Sequence, residues 1–88
     1  MAETAISLNG RTYSLSCGEG EDGRLRQLSE IVRGKLDGLV AEYGQVGDDR
    51  LLLLSALLIA DDMLEARARV EALETLLAAV QMRSRADE

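Results

Sequence analysis

Between Asp49 and Met82 apolar residues recur at alternating steps of four and three: Leu52, Ala56, Ile59, Met63, Ala66, Val70, Leu73, Leu77 and Val80. This two-position heptad predicts a helix that lies along other helices. Its first part, residues 51–60, reads Leu-Leu-Leu-Leu-Ser-Ala-Leu-Leu-Ile-Ala and is apolar nearly all the way round, so it must be surrounded. Beyond Asp62 only the stripe stays apolar, with Leu64 and Leu76 beside it. The flanks there are charged, and Glu65 precedes Arg69 in the favourable i, i+4 order. The helix is expected from about Asp49 to Arg83, roughly 50 Å if straight, with residues 84–88 as a frayed tail.

Residues 5–17 predict a β-hairpin. Asn9-Gly10 is the signature of a two-residue type I′ turn, which needs positive φ at both positions. With these as the turn, Leu8 pairs with Arg11 and Ile6 with Tyr13. Ile6, Leu8, Tyr13, Leu15 and Cys17 then share one face, and Ser7, Thr12, Ser14 and Ser16 the other. The two strands agree on which face is buried. Arg11 lies on the apolar face at the tip, its stem packed and its guanidinium reaching past the rim into water. A hairpin alone is marginal, so a helix is expected beneath it.

An acidic, glycine-rich linker, residues 18–23, leads into a first helix over 24–43, with Asp22 as its N-cap. Leu25, Leu28, Val32, Leu36, Leu39 and Tyr43 form its apolar stripe, widened by Ile31 and Val40. Gly34 and Gly38 inside it either permit a close approach or are simply tolerated. Gly44 closes the helix, and Asp48 is expected to cap the next one. The hairpin and first helix are expected to cover the N-terminal half of the long helix, and another copy of the chain the rest. This is an α+β fold: an N-terminal hairpin and short helix on a long C-terminal helix that forms a dimeric or tetrameric coiled coil. Residues 1–60 are read as a globular head and 61–88 as a stalk with its tail.

Composition narrows the function. At 88 residues one core is marginal. Phe, Trp and Pro are absent, and the only rings are Tyr13 and Tyr43. The net charge of −6 opposes nucleic-acid binding, which requires clustered Lys and Arg. A lone Cys17 allows no internal disulfide and suits a reducing cytoplasm. Met1-Ala-Glu-Thr lacks the marks of a secretion signal, and the oily run at 51–60 is too short to insert across a membrane.

Catalytic chemistry has little to work with. There is no His. Cys17 falls on the buried strand face and reads as a structural thiol. Asp61 and Asp62 are adjacent on a helix, about 100° apart, and do not converge. Gly18, Gly20 and Gly23 match G-x-G-x-x-G, but no second βα unit follows and the acids within would repel a pyrophosphate. The acidic linker lacks the spacing of a calcium loop. No enzyme activity, metal or cofactor is expected; association remains.

Three stretches carry a resemblance to a known family: Asn9-Gly-Arg-Thr-Tyr-Ser-Leu-Ser-Cys-Gly18; Glu19-Gly-Glu-Asp-Gly-Arg-Leu25; and Asp49-Arg-Leu-Leu-Leu-Leu-Ser-Ala-Leu-Leu-Ile-Ala-Asp-Asp-Met-Leu64. In order and spacing they resemble the ZapA family of cell-division proteins, as far as about residue 75. The resemblance implies a cytoplasmic bacterial protein at the mid-cell division ring. It implies a head that dimerises and a stalk that can form antiparallel tetramers. It implies binding to the tubulin-like protein FtsZ, whose filaments members align and cross-link during septation. Many members have a longer C-terminal helix. FtsZ binding in the family is attributed to charged residues of the head, which by position are here Arg11, Arg33, Lys35 and Arg50. The nine stripe residues from Leu52 to Val80 are the expected oligomer contacts. A different class of reading is a small regulatory protein whose coiled coil pairs with another protein. Self-association separates the two, since an adaptor forms homo-oligomers alone.

Overall fold

The computed structural model describes residues 2–86. In chain order it has β1 (Ala2–Leu8), β2 (Arg11–Cys17), α1 (Asp22–Tyr43) and α2 (Asp48–Ala86). β1 and β2 pair antiparallel in the expected register, Leu8 with Arg11 and Ile6 with Tyr13. β2 ends at Cys17 as expected, and β1 begins at Ala2 opposite it, three residues earlier than the sequence suggested. Asn9 and Gly10 both have positive φ, 51° and 79°, as a type I′ turn requires.

α1 starts two residues earlier than the expected residue 24. The Glu21 N–H donates to the Gly18 carbonyl at 3.1 Å and the Glu21 carbonyl accepts from Leu25 N–H at 3.0 Å, so the linker winds directly into the helix. Asp22 is therefore a first-turn residue and not the N-cap; Glu21 holds that place with helical backbone and no side-chain cap. Gly44 closes α1 as expected, its N–H donating to Val40 O at 2.8 Å. Asp48 does not cap α2 either. The Gly47 carbonyl takes the Leu51 N–H at 2.9 Å, and Asp48 is the first helical residue.

The core lies where α1 crosses α2 beneath β1. Leu36, Leu39, Leu51 and Ile6 are buried, Leu51 completely. Leu8, Val40, Leu52 and Leu54 pack around them in part. Ser55, also fully buried, donates its hydroxyl to Leu51 O at 2.7 Å, so the polar group within the oily run is satisfied. Thr4 is buried on the same face of β1, and its Oγ1 has no hydrogen-bond partner among the described residues.

Several positions expected to be covered are open. Leu15, Leu28, Ile31 and Tyr43 are exposed. Tyr13 and Cys17 are half-buried. Gly34 and Gly38 face open space, so no close approach among the described residues of this chain requires them. α2 continues through Ala86 without fraying at residues 84–86; Asp87 and Glu88 of the expected tail lie outside the described residues.

The outcome is a long molecule. Its extents are 62 × 37 × 15 Å and its radius of gyration 19.7 Å, against about 12 Å for a compact chain of this length. It exposes 7022 Å², whereas a compact monomer of this size would expose about 5,000 Å².

Candidate interaction surfaces

Two surfaces stand out, one apolar and one polar. The apolar surface begins on α2 within the run 51–60. Leu51 and Ser55 face α1 and are buried; Leu52, Leu54 and Ile59 are half-buried at the edges. Leu53, Leu57 and Leu58 are exposed, and so are Ala56 and Ala60. The hairpin and α1 cover one side of this segment only, contrary to the expectation that they would enclose it. One hairpin and one helix are too narrow to wrap a cylinder that is apolar on every side.

From Ala60 to Ala86 every residue is exposed. The heptad positions Met63, Ala66, Val70, Leu73, Leu77 and Val80 line up on the bare helix with nothing against them. Val70 is 52% exposed and Leu73 64%. Patches of this extent mark contact surfaces. Two apolar clefts lie beside the stripe. One, of about 330 Å³, opens between the hairpin and α1 and includes Leu15, Leu28 and Leu52. The other, of about 440 Å³, lies between the end of α1 and α2 and includes Tyr43, Leu54 and Leu57. The exposed Leu28, Ile31, Leu53 and Leu57 extend this surface beyond the heptad positions. In the sequence Leu28 and Ile31 showed only as part of the α1 stripe, and Leu53 and Leu57 only as the excess of apolar residues in 51–60.

The polar surface surrounds the hairpin tip. The Asn9 amide donates to Gln45 Oε1 at 2.8 Å and to Asp48 Oδ1 at 2.9 Å, and Gln45 Nε2 returns a bond to Asn9 Oδ1 at 2.9 Å. Arg11 Nε pairs with Asp48 Oδ2 at 2.8 Å. Asp48 thus serves the hairpin tip, which explains why it does not cap α2. Arg11 turns toward this carboxylate while its side chain stays 71% exposed to water, as expected at the tip. Next to the clasp, Arg11, Val46, Asp49, Arg50 and Leu53 border an open cleft of about 570 Å³.

The four cations singled out from the sequence separate here. Arg33 donates Nε and Nη2 to Ser7 O, at 3.1 and 2.8 Å, and Nη1 to Glu30, tying α1 to β1. Lys35 Nζ meets Asp62 Oδ2 at 2.7 Å, joining α1 to α2. Arg11 is held by Asp48. Arg50 forms no ion pair among the described residues and is exposed at the cleft. Arg11 and Arg50 share that cleft, whereas Arg33 and Lys35 do not line it. Glu65 and Arg69 form no ion pair among the described residues.

Among the described residues no group of three or more His, Cys, Asp or Glu is placed to hold a metal ion, and no helix is long and apolar enough to cross a membrane. The G-x-G-x-x-G loop folds onto its own acid: a Cβ at Gly18 would meet Glu21 Oε1 at 2.8 Å.

Comparison with known proteins places this architecture. No curated protein matches the sequence. A solved structure described as an unknown conserved bacterial protein from Pseudomonas aeruginosa PAO1 matches with a TM-score of 0.78 at 21% identity, over 99% of this chain and 98% of that one. At that identity the likeness concerns the fold. The sequence matches the family described as cell division protein ZapA over residues 4–88, from the hairpin through the length of α2, and the chain belongs to that family.

Proposed function

We propose that this protein is a non-enzymatic adaptor of bacterial cell division. It self-associates through α2 and the apolar surface around it, binds FtsZ through its head, and cross-links FtsZ filaments into bundles at the mid-cell ring in the cytoplasm. Residues 1–60 act as the head and 61–88 as the stalk. The observation that carries this reading is the apolar stripe of α2, which starts half-buried at Leu52 and Ile59 and runs on without cover from Met63 to Val80 in a single chain. A symmetric assembly covers the stripe and presents equivalent heads, and two linked heads join two filaments with an avidity neither has alone.

Among the four candidate cations Arg50 is the best placed for FtsZ, because its guanidinium is not committed inside the chain. Arg11 contributes from the same cleft. Arg33 and Lys35 act first as internal struts.

Co-sedimentation with FtsZ polymers, with electron microscopy of the pellet, tests the proposal. The expected result is more FtsZ in the pellet and side-by-side filaments. Unchanged pelleting and single filaments at every ratio of the two proteins would overturn it.

A further inference from the structure

Three of the four cations singled out above are paired, and they are spent to different degrees. Arg33 commits all three nitrogens of its guanidinium, Nε and Nη2 to the Ser7 carbonyl and Nη1 to Glu30. Lys35 commits its one nitrogen to Asp62. Arg11 meets Asp48 at Nε, and no second carboxylate among the described residues pairs with it. The outer edge of its planar head, formed by Nη1 and Nη2, is left over beside the open cleft. That edge is the part of an arginine that can take a carboxylate by two parallel bonds.

Asp48 is itself held. Its Oδ1 accepts from the Asn9 amide, and Gln45 grips Asn9 in turn. Its Oδ2 faces Arg11. The hold therefore runs from the α1–α2 connection through the hairpin tip to the guanidinium. A side chain fixed in advance loses little freedom when a partner binds.

We propose that Asp48 is a positioning residue. Through its clasp with Asn9 it fixes Arg11 by the Nε end and presents the Nη edge, beside Arg50, to a carboxylate of FtsZ. Val46 and Leu53 border the same cleft and are exposed, so the segment that fits carries an apolar side chain next to its acid. This rests on the FtsZ reading above and adds the chemistry of the partner segment and the residue that prepares the site for it.

Net charge does not make this site. In the cleft Arg11 and Arg50 are matched by Asp48 and Asp49, and the whole chain carries −6. No excess of positive potential draws an acidic partner in, so it must be caught by donors that already stand in place. A simple charge argument treats Asp48 as a competitor that repels the partner's acid, and predicts tighter binding without it. Positioning predicts weaker binding without it. The two differ in sign.

Co-sedimentation of the full chain with FtsZ polymers separates them. Arg11→Ala is expected to raise the concentration for half-maximal pelleting by about tenfold, and Asp48→Ala by about fivefold. The double variant binds as Arg11→Ala alone does, because Asp48 then has nothing to position. Wild-type or tighter binding by Asp48→Ala would overturn the proposal. So would an equal loss from Asp48→Ala with and without Arg11, since that loss would come from a loosened fold.

Arg11→Lys gives a check that leaves Asp48 in place. Lysine keeps the charge and can pair with Asp48 through its one nitrogen, but it has no second edge to offer. Binding about fivefold weaker is expected, and wild-type binding by this variant would overturn the proposal. If the wild-type chain itself leaves FtsZ in the supernatant, the adaptor reading falls and the positioning role with it. If the wild type pellets FtsZ and the variants match it, only the positioning role falls.

Discussion

Residues 2–59 and residues 60–86 both carry aliphatic side chains at helical spacing and solve opposite problems. In the first, few side chains are fully buried, but several polar groups are paired between elements, the buried Thr4 hydroxyl excepted. Asn9, Gln45 and Asp48 close a clasp, Arg33 holds the Ser7 carbonyl, and Ser55 returns its hydroxyl to Leu51. In the second, no residue is even half-buried. The comparison teaches that apolar content does not by itself make a core. Leu51 is buried because α1 crosses it; Leu73, chemically identical, is 64% exposed because nothing in its own chain reaches that far.

The largest effect expected is at the crossing. Leu51→Ala leaves a cavity against Leu36 and Leu39 and lowers stability by about 3 kcal/mol, read as the urea midpoint by circular dichroism. Leu73→Ala leaves that midpoint unchanged in dilute solution and weakens association alone. Equal losses from the two would break the comparison.

Next comes the stripe. Ile59→Glu with Met63→Glu places carboxylates on the uncovered face, and sedimentation should find single or unfolded chains. A compact helical dimer surviving both changes would show that association uses another surface.

Asn9→Ala removes the clasp and puts a side chain ill-suited to positive φ at the turn, for a loss of about 1–2 kcal/mol. Thr4→Val keeps the shape of the side chain and deletes a buried hydroxyl without a partner, so it should raise stability by about 1 kcal/mol. A loss on thermal melting would mean that the hydroxyl is bonded after all.

Arg50→Ala should have the smallest effect on folding, within about 0.5 kcal/mol, while reducing FtsZ co-sedimentation. Arg33→Ala should do the reverse, loosening the hairpin from α1. If Arg50→Ala pellets with FtsZ as the wild type does, the uncommitted cation is not the contact.

Much of the fold was legible because it is local. Asn9-Gly10 with alternating neighbours specifies the hairpin and its register, and the steps of four and three specify both helices. Three features could not be read. Gln45 is 36 residues from Asn9, and only the packing of the hairpin on the α1–α2 connection brings their amides together. That docking also claims Asp48, so a residue with the chemistry of a cap spends its carboxylate elsewhere. Of the four cations, sequence position could not separate those committed internally from Arg50, since the partners of Arg11, Lys35 and the Ser7 contact of Arg33 all come from other elements. The stripe was legible as a pattern, and the structure adds that its own chain leaves it uncovered.

α2 runs 39 residues with neither glycine nor proline between Asp48 and Ala86, so it has no built-in hinge and behaves as a strut. A strut of this kind is a ruler. Removing one heptad would shorten its reach by about 10 Å while turning the far end by only about 20°. Removing a single residue shortens it by about 1.5 Å but swings the far end by about 100°. On the adaptor reading proposed above, insertions and deletions in whole sevens would therefore tune how far apart two joined filaments lie without spoiling how the heads face them, whereas other lengths would twist the heads out of alignment.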